Sequence, residues 1–127
     1  MKEQFLYVLK LRNYYTGNRY VKVGYSADVE TRIMQLIRNN KHFEFLNIQL
    51  YQHKEKKLGY LYDEKKLHEK HKKHRAGIHK DSMPDGSTEC YDSFYSSEIT
   101  TDLGKMGYQC VFDSEMMAQI PEPMFTW

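Results

Sequence analysis

A non-alternating apolar run, joined by a short turn to an alternating one, constrains this chain more than any other feature. Phe5-Leu6-Tyr7-Val8-Leu9-Lys10-Leu11 is apolar and aromatic almost throughout, the pattern of a strand buried over most of its surface. Asn13 and Gly17-Asn18 mark its end. Tyr20-Val21-Lys22-Val23-Gly24-Tyr25 then alternates, which predicts an antiparallel hairpin with a loop of moderate length.

The rest of the chain supplies the layers such a hairpin needs. Ser26 and Asp28 suit a helix N-cap, and Val29, Ile33, Leu36 and Ile37 repeat at helical spacing as far as Asn39-Asn40. A third strand fits 43–51, with Phe43 and Phe45 on one face and Leu46, Ile48 and Leu50 on the other, around an irregularity. The longest predicted helix covers 54 to about 75, with Leu58, Leu61, Tyr62 and Leu67 inward, although Gly59 weakens its first turn. Gly77, Pro84 and Asp85-Gly86-Ser87 mark a loop, followed by a short extended piece at 89–92. Ser96-Ser97-Glu98 caps a short helix through Lys105, Gly107 ends it, and 108–112 reads as a last strand. Pro121 and Pro123 make the remainder a non-helical tail packing through Met124, Phe125 and Trp127. The expectation is one α+β domain.

Size agrees: 127 residues with 40% hydrophobic and 14% aromatic residues close one modest core and leave no room for a second. No apolar run approaches the roughly 20 residues that span a bilayer, and Met1-Lys2-Glu3-Gln4 does not begin a signal peptide, so a soluble cytoplasmic protein without a membrane partner is expected. Cys90 and Cys110 lack the close pairing of a zinc ribbon or a disulfide scaffold and read as two buried free thiols. Charge falls into blocks. Residues 1–52 carry eight Lys/Arg against four acids, 53–80 carry ten against four, and 81–127 carry one, Lys105, against nine. A basic middle beside an acidic tail suits one face for polyanions and another for solvent or a different partner. Composition alone equally suits an ordinary solvated helix.

The order strand, strand, helix, strand, helix places a Tyr on strand one, a Gly ending strand two, an Arg eight residues after that Gly, and a Glu on the second long helix. That arrangement resembles the GIY-YIG nuclease superfamily over roughly residues 5–92. The first signature is Phe5-Leu6-Tyr7, the second Lys22-Val23-Gly24, the arginine Arg32 and the glutamate Glu64. The match is closest to a branch common in phage and bacteria, which has Lys in the second signature, a Leu-His pair after the Glu, then an Arg and a Glu-aromatic element. Here these are Glu64-Lys65-Lys66-Leu67-His68, Arg75 and Glu89-Cys90-Tyr91. The resemblance implies a three-stranded antiparallel sheet flanked by helices, a β-β-α-β-α core in 1–92, and a C-terminal extension, 93–127, packed on the same domain.

It also implies a chemistry. Phosphodiester hydrolysis builds negative charge on non-bridging and leaving oxygens, where fixed cations lower the barrier. Arg32 is the phosphate clamp, and Glu64 holds one Mg²⁺ or Mn²⁺, with water and substrate completing the shell. Tyr7 positions or deprotonates the attacking water, its phenol acidified by nearby cations; Lys22 is one of those cations or the base itself. His68, four residues from Glu64 on one helix face, orients that carboxylate or touches the leaving group. Lys70, Lys72, Lys73, Arg75 and Lys80 form a phosphate-tracking surface. A zinc site at His68, His71 and His74 is disfavoured, since three-residue steps rotate around a helix and no Cys partners stand at finger spacing.

Each residue has a plainer reading: a core tyrosine, a surface arginine, a Glu–His pair on a helix. The first functional expectation is a metal-dependent endonuclease that cuts DNA, with RNA not excluded, and has little intrinsic sequence specificity, because no extra readout module is appended. It acts alone, as a homodimer or through a recruiting protein. The alternative is a non-catalytic nucleic-acid-binding or protein-interaction module on the same scaffold. A third reading makes Met116, Met117, Met124, Phe125 and Trp127 a partner-binding surface.

Overall fold

The computed structural model describes residues 3–115, an α+β fold of three α-helices and a five-stranded sheet in which every pairing is antiparallel. The hairpin forms as expected from β1 (Phe5–Asn13) and β2 (Arg19–Ser26), in continuous register from Phe5 opposite Ser26 to Arg12 opposite Arg19. The Asn13 side-chain oxygen accepts from the backbone N–H of Tyr15 and Thr16, at 2.8 and 3.1 Å, and so builds the turn. Then follow α1 (Val29–Asn39), β3 (Phe43–His53), α2 (Tyr60–Lys70), β4 (Cys90–Asp92), α3 (Ser96–Lys105) and β5 (Tyr108–Asp113).

Sheet order is β4-β2-β1-β3-β5, with the first strand in the middle. That position explains its lack of alternation. Leu6 and Val8 meet Leu67 of α2, Ile99 and Leu103 of α3, and Tyr108 on one side. On the other side Tyr7, Leu9 and Leu11 meet Ile33 and Leu36 of α1, with Phe43, Met83 and Cys90. The irregularity in β3 is a bulge: Leu11 faces Phe45 and Lys10 faces Asn47, which leaves Leu46 unpaired and turned to solvent. Only three strands were expected in the sheet. β4 and β5 add one at each edge, and Ile99, Leu103 and Tyr108 join the same core as the hairpin.

Four expectations are corrected. The second long helix covers Tyr60–Lys70 rather than 54–75, because Gly59 sits at φ +85°, outside the helical region, and the chain tightens into a 3₁₀ turn at Lys72–His74. Its inward face carries Tyr60, Asp63, Glu64, Leu67 and His68, whereas Leu58, Leu61 and Tyr62 are exposed. Tyr60 sets this rotation, its hydroxyl accepting from His53 N–H at 2.9 Å and donating to the Lys56 carbonyl at 2.8 Å. Ile37 of α1 is also exposed, and only Cys90 of the two thiols is buried, Cys110 lying exposed on β5. The expected tail packing of Met124, Phe125 and Trp127, and the Met116 and Met117 surface, lie outside the described residues. Among the described residues no helix is long and apolar enough to cross a membrane.

Candidate active site

Tyr7 stands on β1 directly opposite Gly24 on β2. A Cβ at position 24 would lie 2.1 Å from the Tyr7 hydroxyl oxygen, so the phenol crosses the strand over the one residue that leaves space for it. Arg32, near the start of α1, hydrogen-bonds to Tyr7 and donates from both terminal nitrogens to the carboxylate of Asp85, each at 2.8 Å. Asp85 is itself fixed: Asn39 Nδ2 donates to its carboxylate at 3.1 Å, and Asn40 bonds its backbone carbonyl and N–H at 2.9 and 3.1 Å.

Lys22 comes from the adjacent strand and is fully buried. Its ammonium lies 5.7 Å from the Tyr7 ring centre and donates to the carboxylate of Glu89. Gly86 makes room for it: at φ +87° it adopts a left-handed conformation, and a Cβ there would sit 2.4 Å from Lys22 Nζ. Glu89 leads on to α2, where Glu64 and His68 share the inward face. One ligand atom from each of Glu64, His68 and Glu89 falls within 4.8 Å of the others. An open recess of about 320 Å³ reaches this group, lined also by Lys65, Glu69, Arg75 and Thr88.

His68 is the least available of the three. Its Nε2 lies 3.0 Å from the Val23 carbonyl, which can only accept, so Nε2 carries the proton and Nδ1 receives the Tyr91 hydroxyl proton at 2.7 Å. Both ring nitrogens are engaged, and Nε2 is 3.7 Å from Glu64 Oε1, beyond a hydrogen bond. Burial also pushes the imidazole toward its neutral form. His68 therefore shapes the wall beside Glu64, and the hard donors of the three-residue group are the Glu64 and Glu89 carboxylates.

Electrostatics sort the acid–base candidates. Burial, with the Glu89 charge adding to it, raises the Glu64 pKa to about 7 despite opposition from Lys22 and Lys65. Burial raises Tyr7 as well; Lys22 and Arg32 pull the other way and lose, so the expected acidified phenol is not found. Burial works against the Lys22 ammonium, but Tyr7 and Glu89 outweigh it and its pKa rises. Lys22 is thus a fixed cation and not a free base.

The expected phosphate-tracking residues do not form one helical face. Lys70 closes α2 and bonds Asp102 at 3.0 Å, and Lys72 bonds Glu69 at 2.7 Å. Lys73 and Lys80 are exposed in the 3₁₀ turn and the loop, and Arg75 alone of the five lines the recess. The other histidines point elsewhere: His71 bridges Asp102 and Tyr95 at 2.5 Å each, and His74 stacks on Tyr95 with ring centres 4.5 Å apart.

Tyr7, Lys22, Arg32, Glu64 and His68, singled out from the sequence, are therefore linked through a continuous set of contacts. Three partners were not given roles there. Glu89 and Tyr91 stood only as the two ends of a Glu-aromatic element, and Asp85 as turn punctuation; no local signal shows their contacts, since each acts across 23 or more residues of chain. Comparison with family models, curated proteins and solved structures finds no match to this chain.

Proposed function

We propose that this protein is a metal-dependent endonuclease of the GIY-YIG type, hydrolysing phosphodiester bonds of DNA with little sequence preference of its own. The observation that carries this reading is the convergence of Tyr7 from β1, Lys22 from β2 and Arg32 from α1, joined by the Arg32–Tyr7, Lys22–Tyr7 and Lys22–Glu89 contacts, with Glu64 of α2 placing a ligand atom within 4.8 Å of one on Glu89. Glu64 and Glu89 fit a hard divalent cation such as Mg²⁺ or Mn²⁺. Both are oxygen donors, and the raised pKa of Glu64 reflects its burial first and the facing Glu89 charge second, both of which a cation would offset. When bound, the cation polarises a phosphate oxygen and acidifies water.

The chain's own groups supply the rest. Arg32 donates to non-bridging oxygens, Lys22 holds positive charge beside the phenol, and Tyr7 as a neutral phenol orients water by hydrogen bonding. His68 keeps the helix face rigid behind Glu64. Two free thiols suit a reducing, cytoplasmic setting.

A second reading, a non-catalytic nucleic-acid-binding module, is favoured by one observation: Arg32 and Lys22 are each already bonded to a carboxylate. The deciding experiment incubates plasmid, branched and single-stranded DNA with the protein in Mg²⁺ or Mn²⁺, beside Glu64→Ala and Arg32→Ala. Cutting reduced about 10²-fold or more in both variants is expected. Intact substrates under every condition, with binding retained, establish the module instead.

A further inference from the structure

An exposed aromatic pair sits at the far end of the hairpin. The turn between β1 and β2 carries Tyr14 and Tyr15 side by side, 54% and 78% exposed. Two large rings in water on a mobile loop would mean little. This turn is rigidly built: the buried Asn13 side chain accepts from two backbone N–H groups, the Asn13 and Asn18 backbones bond at 2.8 Å, and Tyr14 N–H donates to the His42 carbonyl at 2.9 Å. The rings have neighbours too. The Arg12 guanidinium lies 5.9 Å from the centre of the Tyr14 ring, and Tyr15 meets His42 edge to face at 5.1 Å.

The charge around them is one-sided. Residues 12–20 and 38–44, which this turn brings together, hold Arg12, Arg19, Arg38 and Lys41 against one acid, Glu44, and Glu44 is bonded to Arg12 at 2.9 Å. Asp92 of β4 stands opposite Tyr20, next to this cluster. Arg19, Arg38, Lys41 and His42 are all exposed. Fixed aromatic faces among cations are what an unpaired nucleotide strand uses: stacking for the bases, charge for the backbone.

We infer that Tyr14 and Tyr15, with Arg19, Arg38 and Lys41, form a stacking platform for a single strand of nucleic acid, distinct from the Tyr7–Glu64 centre. This rests on nucleic acid being the partner, as proposed above, and not on hydrolysis. The platform is tied to that centre. Asp85 bonds Arg32 through its carboxylate and Asn40 through its backbone, and two residues after Asn40 the His42 carbonyl receives Tyr14. Tyr7 and Asn13 are six strand residues apart, about 20 Å. A strand engaging both places therefore needs several nucleotides, and the platform holds an unpaired stretch while the centre meets the phosphate some way along it.

The experiment measures binding of the full chain, in chelator, to labelled DNA and RNA single strands of about four and about sixteen nucleotides, the ends of the range of site sizes for such surfaces. Expected is tighter binding of the longer strand, loss of about tenfold with Tyr15→Ala, and recovery to within about twofold with Tyr15→Phe, which keeps the ring. Arg19→Ala and Arg38→Ala should each reduce the slope of log K against log salt by about 0.7. Comparison of the DNA and RNA arms tells which backbone is taken. Unchanged affinity and slope in all of these variants overturns the platform, as does equal weakening by Tyr15→Phe, or no binding of either nucleic acid by the native chain. The hydrolytic reading fails separately: no cutting under any condition, with Tyr15-dependent binding retained, removes the nuclease and leaves the platform.

Discussion

Asp85 grips Arg32 end to end, one carboxylate oxygen to each terminal guanidinium nitrogen at 2.8 Å, across 53 residues of chain. The same fork is the group proposed to hold phosphate, so a carboxylate occupies it in this structure. Hydrogen bonding from Arg32 also holds the Asp85 pKa below the ordinary value. A carboxylate depressed in the folded state contributes stability that is present above its unfolded pKa and lost as pH falls through the folded one. Asp85→Asn is expected to cost about 1 kcal/mol at pH 7 in urea unfolding and progressively less below pH 4, with the part-exposed pair limiting the size. The same variant should bind inorganic phosphate more tightly, measured by calorimetry; weaker binding would show that Asp85 instead holds Arg32 in its working pose.

Glu64 gives the opposite pH dependence. Its pKa is about 7 in the folded protein against 4.5 ordinarily, so the folded state holds the extra proton. That contribution is complete below about pH 4.5 and disappears as pH rises through 7. Glu64→Gln should therefore raise the melting temperature relative to native protein at pH 8 by a few degrees in chelator, with the difference vanishing near pH 5. A constant difference across this range would place the strain elsewhere. At pH 8, Mn²⁺ is expected to stabilise the native chain and to have no effect on Glu64→Ala.

Gly24→Ala inserts a methyl group 2.1 Å from the Tyr7 hydroxyl oxygen and 2.2 Å from the carbon bearing it. The ring must move, at about 1–3 kcal/mol. Tyr7→Leu shortens the side chain, so the double variant should be more stable than the sum of the single losses predicts, by 0.5 kcal/mol or more in a double-mutant cycle. Additive losses would mean that the glycine is needed for its backbone and not for the phenol.

Tyr91→Phe removes the proton that His68 Nδ1 accepts at 2.7 Å and leaves a buried acceptor unbonded. A loss of about 1–3 kcal/mol is expected, with little change in metal affinity if His68 is no ligand. A tenfold or larger fall in Mn²⁺ affinity would instead make His68 part of the coordination shell.

How much of this was readable beforehand depends on the range over which each interaction acts. The hairpin, α1, α3 and the strand at 108–113 follow from local periodicity and turn residues such as Asn13 and Gly107, and all appear where expected. The rotation of α2 does not follow, because a hydrophobicity pattern assigns Leu61 and Tyr62 inward, whereas both are exposed and Glu64 and His68 are buried. Tertiary contacts reverse that: Tyr60 is anchored to the end of β3, and Val23, Tyr91 and the Tyr25 backbone satisfy the polar face. Glu64 and His68 were singled out through a resemblance to a family pattern and not through periodicity. Asp85 had no such signal and Glu89 entered only as part of that resemblance; their contacts with Arg32 and Lys22 come from the fold alone.

The sheet order β4-β2-β1-β3-β5 also has a consequence in time. During synthesis the central hairpin emerges first and the flanking strands later, so growth runs outward from the middle. Lys22 emerges with the hairpin, yet its carboxylate partner lies 67 residues downstream. A ribosome adding about 5–20 residues per second needs several seconds to close that gap. Until then the ammonium cannot be buried with its charge balanced, and the hairpin cannot take its final packing on that edge. A nascent chain paused before Gly86 therefore has no means of assembling this cluster, which closes only once Glu89 has emerged.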